Sequence, residues 1–210
     1  FPVTGHSCIS GSRILVHKKI KDQFIKNLLE VVQKAKVGSP NDPNTQIGPI
    51  ANKEQYEFIL SKINDAEKRG LKLLIDGRNE CKPDGYYIGP TIFDNVPNND
   101  DLAQNEVFGP VASIQSWENE EDVIKIANDT IYGLAAGIWT KDVNKAIRIA
   151  DRIEAGTVYI NNYFNASTQS PVGGYKQSGY GRENGWEGMQ CYMQTKSTWL
   201  ATKPNQPYPF

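Results

Sequence analysis

The chain has 210 residues, 39% hydrophobic and 22% charged, enough for one large soluble domain with a real core. Its 23 Lys and Arg nearly balance 24 Asp and Glu, so charge gives no reason to expect nucleic acid or an anionic membrane as partner. No apolar run approaches the roughly 18 residues of a membrane span, no basic-then-apolar leader opens the chain, and three scattered cysteines (Cys8, Cys81, Cys191) with two histidines speak against a metal site or disulfide framework and for a reducing cytoplasm.

In chain order, apolar spacing alternates between period two and period 3.6. Ser12 to His17 reads as a strand. Lys19 to Lys36, with Ile20, Phe24, Ile25, Leu28, Leu29 and Val32 on one stripe, reads as a helix ended by Gly38-Ser-Pro-Asn-Asp-Pro43. Asn52 to Arg69 is a second helix, with Asn52 at its start, Gly70 at its end, and Tyr56, Ile59, Leu60 and Ile63 as its buried face. Strands follow at Leu71 to Ile75, Thr91 to Val96 and Val111 to Trp117. Then come a helix at Glu120 to Asp129, a strand at Ala135 to Trp139, a helix at Val143 to Glu154 and a strand at Thr157 to Ile160. Such alternation predicts an α/β fold, a mostly parallel sheet with helices on both faces. Asn161 to Arg182 is rich in Gly, Asn, Ser and Tyr and reads as a long functional loop. Tyr192 to Thr202 reads as a terminal strand suited to another subunit's sheet edge, followed by the Pro-punctuated end Pro204 to Phe210. The expected division is a domain over 1–190 and an oligomerisation strand and tail over 191–210.

Three stretches could carry chemistry. Cys8, in Gly5-His-Ser-Cys8-Ile-Ser-Gly11, stands among small residues just before a strand. A thiolate there would be a strong nucleophile with room for a substrate carbonyl beside it, although a single cysteine is also commonly a buried structural residue. His6 lies two residues away, within strained reach of the thiol, and reads more naturally as a loop histidine. Glu106-Val-Phe108-Gly-Pro110 combines a carboxylate, an aromatic face and a tight turn, which suits a ribose and a planar ring or, more blandly, a solvated turn over a core Phe. The glycine-rich stretch Pro171 to Gly185 lacks the Gly-Lys-Ser/Thr of a P-loop, and no strand immediately precedes its Gly179-Tyr-Gly181.

Taken in order, Gly5-His-Ser-Cys8 with Gly11-Ser-Arg13, Gly89-Pro-Thr91, Glu106-Val-Phe108-Gly-Pro110, Tyr132-Gly-Leu-Ala-Ala136, Gly156-Thr-Val-Tyr-Ile-Asn-Asn162, and Gln169-Ser-Pro-Val-Gly-Gly-Tyr-Lys-Gln-Ser-Gly179 with Gly181-Arg-Glu183 resemble the aldehyde dehydrogenase superfamily over nearly the whole chain. The resemblance implies oxidation of a small aldehyde to a carboxylic acid with NAD, or NADP, as oxidant. Cys8 would be the nucleophile. Glu106 and Phe108 would position the nicotinamide ribose and ring, and Gln55 would be a further cofactor contact. Ser7 and Ile9, with a loop from Asn162 to Thr168, would line the aldehyde pocket. It also implies a homo-oligomer, dimer or tetramer, built through the tail.

The chain departs from the family pattern in two residues: His6 stands where the family usually has Gln, and Val3 where it usually has Asn. The family's dinucleotide-binding domain, general-base glutamate and oxyanion-hole asparagine precede the cysteine, so the resemblance covers a catalytic half that would be inactive or nearly so alone. Two other readings stay open on the residues: a cofactor-independent cysteine hydrolase or esterase, and an assembly module that retained the fold.

Overall fold

Period-two runs become strands and period-3.6 runs become helices. In the computed structural model, which describes residues 1–202, the first half of the chain forms β1 (Arg13–His17), α1 (Lys21–Val32), α2 (Lys53–Lys68), β2 (Lys72–Ile75), β3 (Thr91–Asp94), the single turn α3 (Asp101–Gln104) and β4 (Val111–Trp117). The second half forms α4 (Glu120–Asn128), β5 (Tyr132–Gly133), β6 (Ala135–Ile138), α5 (Val143–Ala150), β7 (Thr157–Ile160), β8 (Tyr175–Lys176) and α6 (Gly185–Gln190). Three 3₁₀ turns, Pro2–Gly5, Lys18–Ile20 and Gly77–Glu80, join or precede these elements.

The principal sheet has the order β1-β4-β3-β2. β1 and β3 both run parallel to β4, with Arg13 opposite Ser113 and Thr91 opposite Val111, while β2 is an antiparallel edge. Side chains alternate across this sheet, as a strand requires. Ile92 of β3 joins Val16, Ile114 and the α1 face of Phe24, Ile25, Leu28 and Val32. Its neighbour Phe93 joins Ile59, Ile63 and Ala66 of α2, with Leu102 and Val111. Helices therefore cover both faces, and the α/β expectation holds.

The sheet is nonetheless divided. β6 and β7 pair with each other in parallel, β5 and β8 pair antiparallel, and neither pair joins the four-stranded sheet. The loop expected over Asn161 to Arg182 thus contains β8, and an isolated bridge joins Val172 to Glu183.

Local chemistry sets the element ends. Asn52 caps α2 by accepting from the Gln55 amide at 2.8 Å, and Gly70, at φ +81, closes it. The helix expected from Lys19 begins as a 3₁₀ turn and stops at Val32. Asn95, at φ +54, ends β3 two residues early. Tyr192 to Thr202 is expected as a strand for another subunit's sheet edge. It pairs with no strand of its own chain among the described residues, and Trp199 is 94% exposed. A strand needs a ladder partner for its backbone groups, and none is present here. The Pro-punctuated end, Pro204 to Phe210, lies outside the described residues. Among the described residues no helix is long and apolar enough to cross a membrane.

The burial pattern predicts where truncation is costly. Ile63→Ala, at 0% exposure, should lower stability by about 2–5 kcal/mol. Val31→Ala, at 69% exposure, should stay within about 0.5 kcal/mol. Urea unfolding with an unchanged m-value checks both, and equal midpoints for the two variants would contradict the core assignment.

Candidate active site

Cys8 lies in the turn that feeds β1, after three consecutive left-handed residues: Val3 at φ 55, Thr4 at φ 57 and Gly5 at φ 74. Two of these are not glycine, so the segment is strained and needs external support. Buried Thr4 supplies some of it, with Oγ1 donating to the Gly48 carbonyl at 3.4 Å and accepting from the Gly48 amide at 3.2 Å. The His6 amide donates to Val3 and the Ser10 amide to Ser7, each at 2.9 Å. Gly5 supplies the rest, because a Cβ there would stand 2.1 Å from the Gly109 carbonyl oxygen. The cysteine segment is thereby seated on the Gly109-Pro110 peptide. Cys8 is exposed and unpaired, which removes the buried structural reading. Ser7 and Ile9 on either side are half-buried.

The opposing turn is also held in a strained shape. Val107 is buried in the α2 core cluster, while Phe108 takes φ +53 and stays 39% exposed. Gln55, from the first turn of α2, donates its Nε2 to the carbonyls of Val107 at 2.9 Å and Phe108 at 3.1 Å. Its amide nitrogen is thus turned onto the peptide backbone of this loop. Glu106 is exposed as a residue, yet partial desolvation of its carboxyl holds it above the ordinary glutamate value. The His6 imidazole stacks on the Phe108 ring, centroids 5.8 Å apart and planes 15° from parallel. The segments bearing Cys8 and Glu106–Phe108, 100 residues apart in sequence, therefore lie against each other at Gly5 and Gly109, with Gln55 holding the second.

That place lies outside the amino ends of the parallel strands β1 and β4. The usual crevice in open α/β sheets lies outside their carboxyl ends, so the general rule for such sheets does not locate this site.

The Asn162 to Thr168 loop approaches from the second half of the chain. Half-buried Asn162 turns its Oδ1 back onto the Tyr163 amide at 2.7 Å. Exposed Thr168 lines an open cleft of 810 Å³ with Gln169, Trp186 and Cys191. The residue of this loop that reaches toward the cysteine segment is Tyr163, whose hydroxyl lies 4.0 Å from where a Cβ on Gly11 would stand. Its ring packs with Trp139, Tyr159 and Phe164 at centroid distances of 6.0, 5.0 and 5.2 Å. Burial, then Tyr159, pushes its hydroxyl pKa up to about 12. Sequence reading missed this aromatic cluster, although Tyr159, Tyr163 and Phe164 stand close together in a polar stretch. Gly137 makes room for it, since a Cβ there would come within 2.7 Å of both the Trp139 and Tyr163 rings.

A sequence model described as the aldehyde dehydrogenase family matches residues 1–198. The chain belongs to the aldehyde dehydrogenase family. An aldehyde dehydrogenase of Emericella nidulans is 45% identical over 193 residues, 92% of this chain and 39% of that protein. A betaine aldehyde dehydrogenase of Brucella anthropi is 40% identical over 99% of this chain and 44% of its own length. The crystal structure of betaine aldehyde dehydrogenase from Staphylococcus aureus in complex with NAD+ superposes with a TM-score of 0.91 at 38% identity, covering 99% of this chain and 42% of that one. The indole-3-acetaldehyde dehydrogenase of P. syringae, in complex with NAD+ and IAA, gives 0.89 at 39% identity, covering 94% and 40%. The chain thus spans well under half the length of these relatives. Both of these solved dehydrogenases hold NAD+.

The seating of Gly5 is directly testable. Gly5→Ala should lift the Cys8 segment from Gly109 and speed amide exchange at least about tenfold in residues 3–12 and 106–110, leaving β3 protected. Unchanged exchange in both segments would show that the close approach does not hold them.

Proposed function

We propose that this chain is the cysteine-bearing catalytic part of an NAD-dependent enzyme that oxidises an aldehyde to a carboxylic acid. The observation that carries the reading is the single seat shared by an exposed cysteine and by the turn bearing Glu106 and Phe108. The residues present fit the cofactor. Phe108 stacks with His6 and stays 39% exposed overall, which leaves surface for a nicotinamide. The Glu106 carboxylate can accept from ribose hydroxyls. Gln55 supports the cofactor through the backbone of this same turn. NAD is the expected cofactor, and NADP differs by a phosphate that none of these residues would read.

The thiolate of Cys8 adds to the aldehyde carbon and makes a hemithioacetal. NAD+, when bound, supplies the acceptor for the hydride that leaves that carbon. The Cys8 thioester that results is released by water as the carboxylic acid, returning the thiol. Ser7 and Ile9 flank the attacking sulfur, and the Asn162 to Thr168 loop, through Tyr163, closes the aldehyde side. The family resemblance assigns oxyanion stabilisation and the water-activating base to residues preceding the cysteine. A reducing compartment such as the cytoplasm suits a free nucleophilic thiol. The exposed Tyr192 to Thr202 segment, which pairs with no strand among the described residues, suits pairing with a second copy in a homo-oligomer.

In the full natural polypeptide, Cys8→Ala should lower NAD+-dependent aldehyde oxidation by at least about a thousandfold while leaving NADH binding intact. Thiol-dependent hydrolysis of an activated ester, with no NAD+-dependent oxidation across a broad aldehyde panel, would replace this reading with a cofactor-independent hydrolase. Glu106 adds a pH signature. Its carboxyl is held above the ordinary glutamate value, and only the ionised form accepts from both hydroxyls. The KM for NAD+ should therefore climb as pH falls through that raised value, and Glu106→Gln should start high and lose this limb. A limb that survives in Glu106→Gln would assign the titration elsewhere.

A further inference from the structure

His6 is where this chain departs from the family's usual glutamine, and its surroundings give that departure a consequence. Two backbone pins fix the imidazole: its amide donates to Val3 at 2.9 Å, and the preceding Gly5 is seated on Gly109. Gly109 directly follows Phe108, so the same contact sets the distance between the two rings. Phe108 is in turn held at φ +53 with its carbonyl bonded to Gln55. The rings stack almost parallel, and the Nε2 of His6 is buried with no hydrogen-bond partner among the described residues. A buried, unpartnered polar atom is costly, so this imidazole is not where it is in order to make a hydrogen bond within the described chain. What it does make is a near-parallel stack on an aromatic side chain that stays 39% exposed.

We propose that His6 is a positioning residue for the cofactor site: stacked behind Phe108, it fixes the plane in which Phe108 presents its exposed face to the nicotinamide ring. This rests on the NAD-dependent reading above. Without the backing, Phe108 would sit at the same strained backbone position but could rotate into the vacated space, and a flat ring would meet it at a range of angles. The role requires a neutral imidazole. Burial lowers the His6 pKa. The titratable groups on the elements packed around it are Cys8 on its own segment, Glu106 on the facing turn, and Lys53, Glu54, Tyr56 and Glu57 beside Gln55 in α2, and no charge among them offsets the desolvation that lowers His6.

The test uses the full natural polypeptide with two readouts. The first is structural: the His6 ring protons should be shifted upfield by Phe108, and Phe108→Leu should remove that shift. The second is NADH binding, followed by fluorescence, with steady-state kinetics alongside. His6→Ala should weaken NADH and raise the KM for NAD+ about fivefold to tenfold, the range expected for losing an aromatic pair. It should change kcat and the aldehyde KM less than about twofold, as loss of a contact made equally in ground and transition states does. His6→Phe, which keeps a flat ring and cannot titrate, should recover NADH affinity to within about twofold. NADH binding by the wild type with no effect of His6→Ala, or His6→Phe as impaired as His6→Ala, would overturn the positioning role alone. A wild type that binds no NADH would overturn the functional reading and this role with it, even with the ring-current shift intact. If His6→Ala fails to fold, the His6→Phe and Phe108→Leu measurements decide.

Discussion

The approach of the Gly5 backbone to the Gly109 carbonyl is the contact on which the rest of the site depends. No side chain could be inserted there, because a Cβ would stand 2.1 Å from the oxygen. This places one peptide of the cysteine segment on one peptide of the Glu106 turn. The sheet supplies the matching constraint. Because β1 and β4 are parallel and in register from Arg13 and Ser113, the segments preceding them emerge side by side. The Ser113 amide donates to Ser12, and the Thr91 amide donates to Pro110, each at 2.8 Å. The register of three parallel strands is thus transmitted to Cys8 and Phe108 over a few residues.

Arg13 stiffens the same junction from below. Its guanidinium donates to the carbonyls of Ile126 at 2.7 Å and Ala127 at 3.3 Å, at the C-terminal end of α4, and to Asn98 at 3.1 Å. A cation at that end of a helix meets orphan carbonyls and the negative end of the dipole. Burial draws its pKa down and Asp129 draws it back up, so a largely desolvated charge is kept next to a compensating one. The first residue of β1 is therefore tied to the C-terminal end of α4. Placement of the thiol is a property of the sheet and of α4 as much as of the loop.

The central elements were legible because their periods are long enough to count. Val111–Trp117 emerges with the expected ends, and α2 differs from expectation by a residue at each end, inside the cap set by Asn52. What was not legible has no period. A two-residue strand such as Tyr132–Gly133 cannot alternate, and the single turn Asp101–Gln104 cannot show a stripe. Separation of β6 and β7 from the main sheet depends on which edges meet in space, which local sequence does not encode. The Tyr192 to Thr202 tail pairs with no strand among the described residues for a related reason, since a strand forms only against an edge. At the site, Cys8, Glu106 and Phe108 could each be singled out by residue type. Their meeting followed only from the family resemblance, and the His6 stack and the Tyr163 cluster followed from nothing short of the structure.

The strain in this region has a definite distribution. Val3, Thr4, Gly5 and Phe108 all take positive φ, and all lie in the two segments that meet at Gly109. Conformations of this kind persist only where neighbours over-determine them. The neighbours here are identifiable: Gly48 for Thr4, Gln55 for Phe108, and each segment for the other. Val107 anchors the Glu106 turn in the α2 cluster, while most of both clusters lies between α1, α2 and the sheet. Substituting a support such as Gln55 or Thr4 therefore acts on the shape of the site before it acts on the fold. An exposed thiol and a half-exposed ring can then be held in fixed relation without either being buried, which is what a group that must both react and stay in place requires.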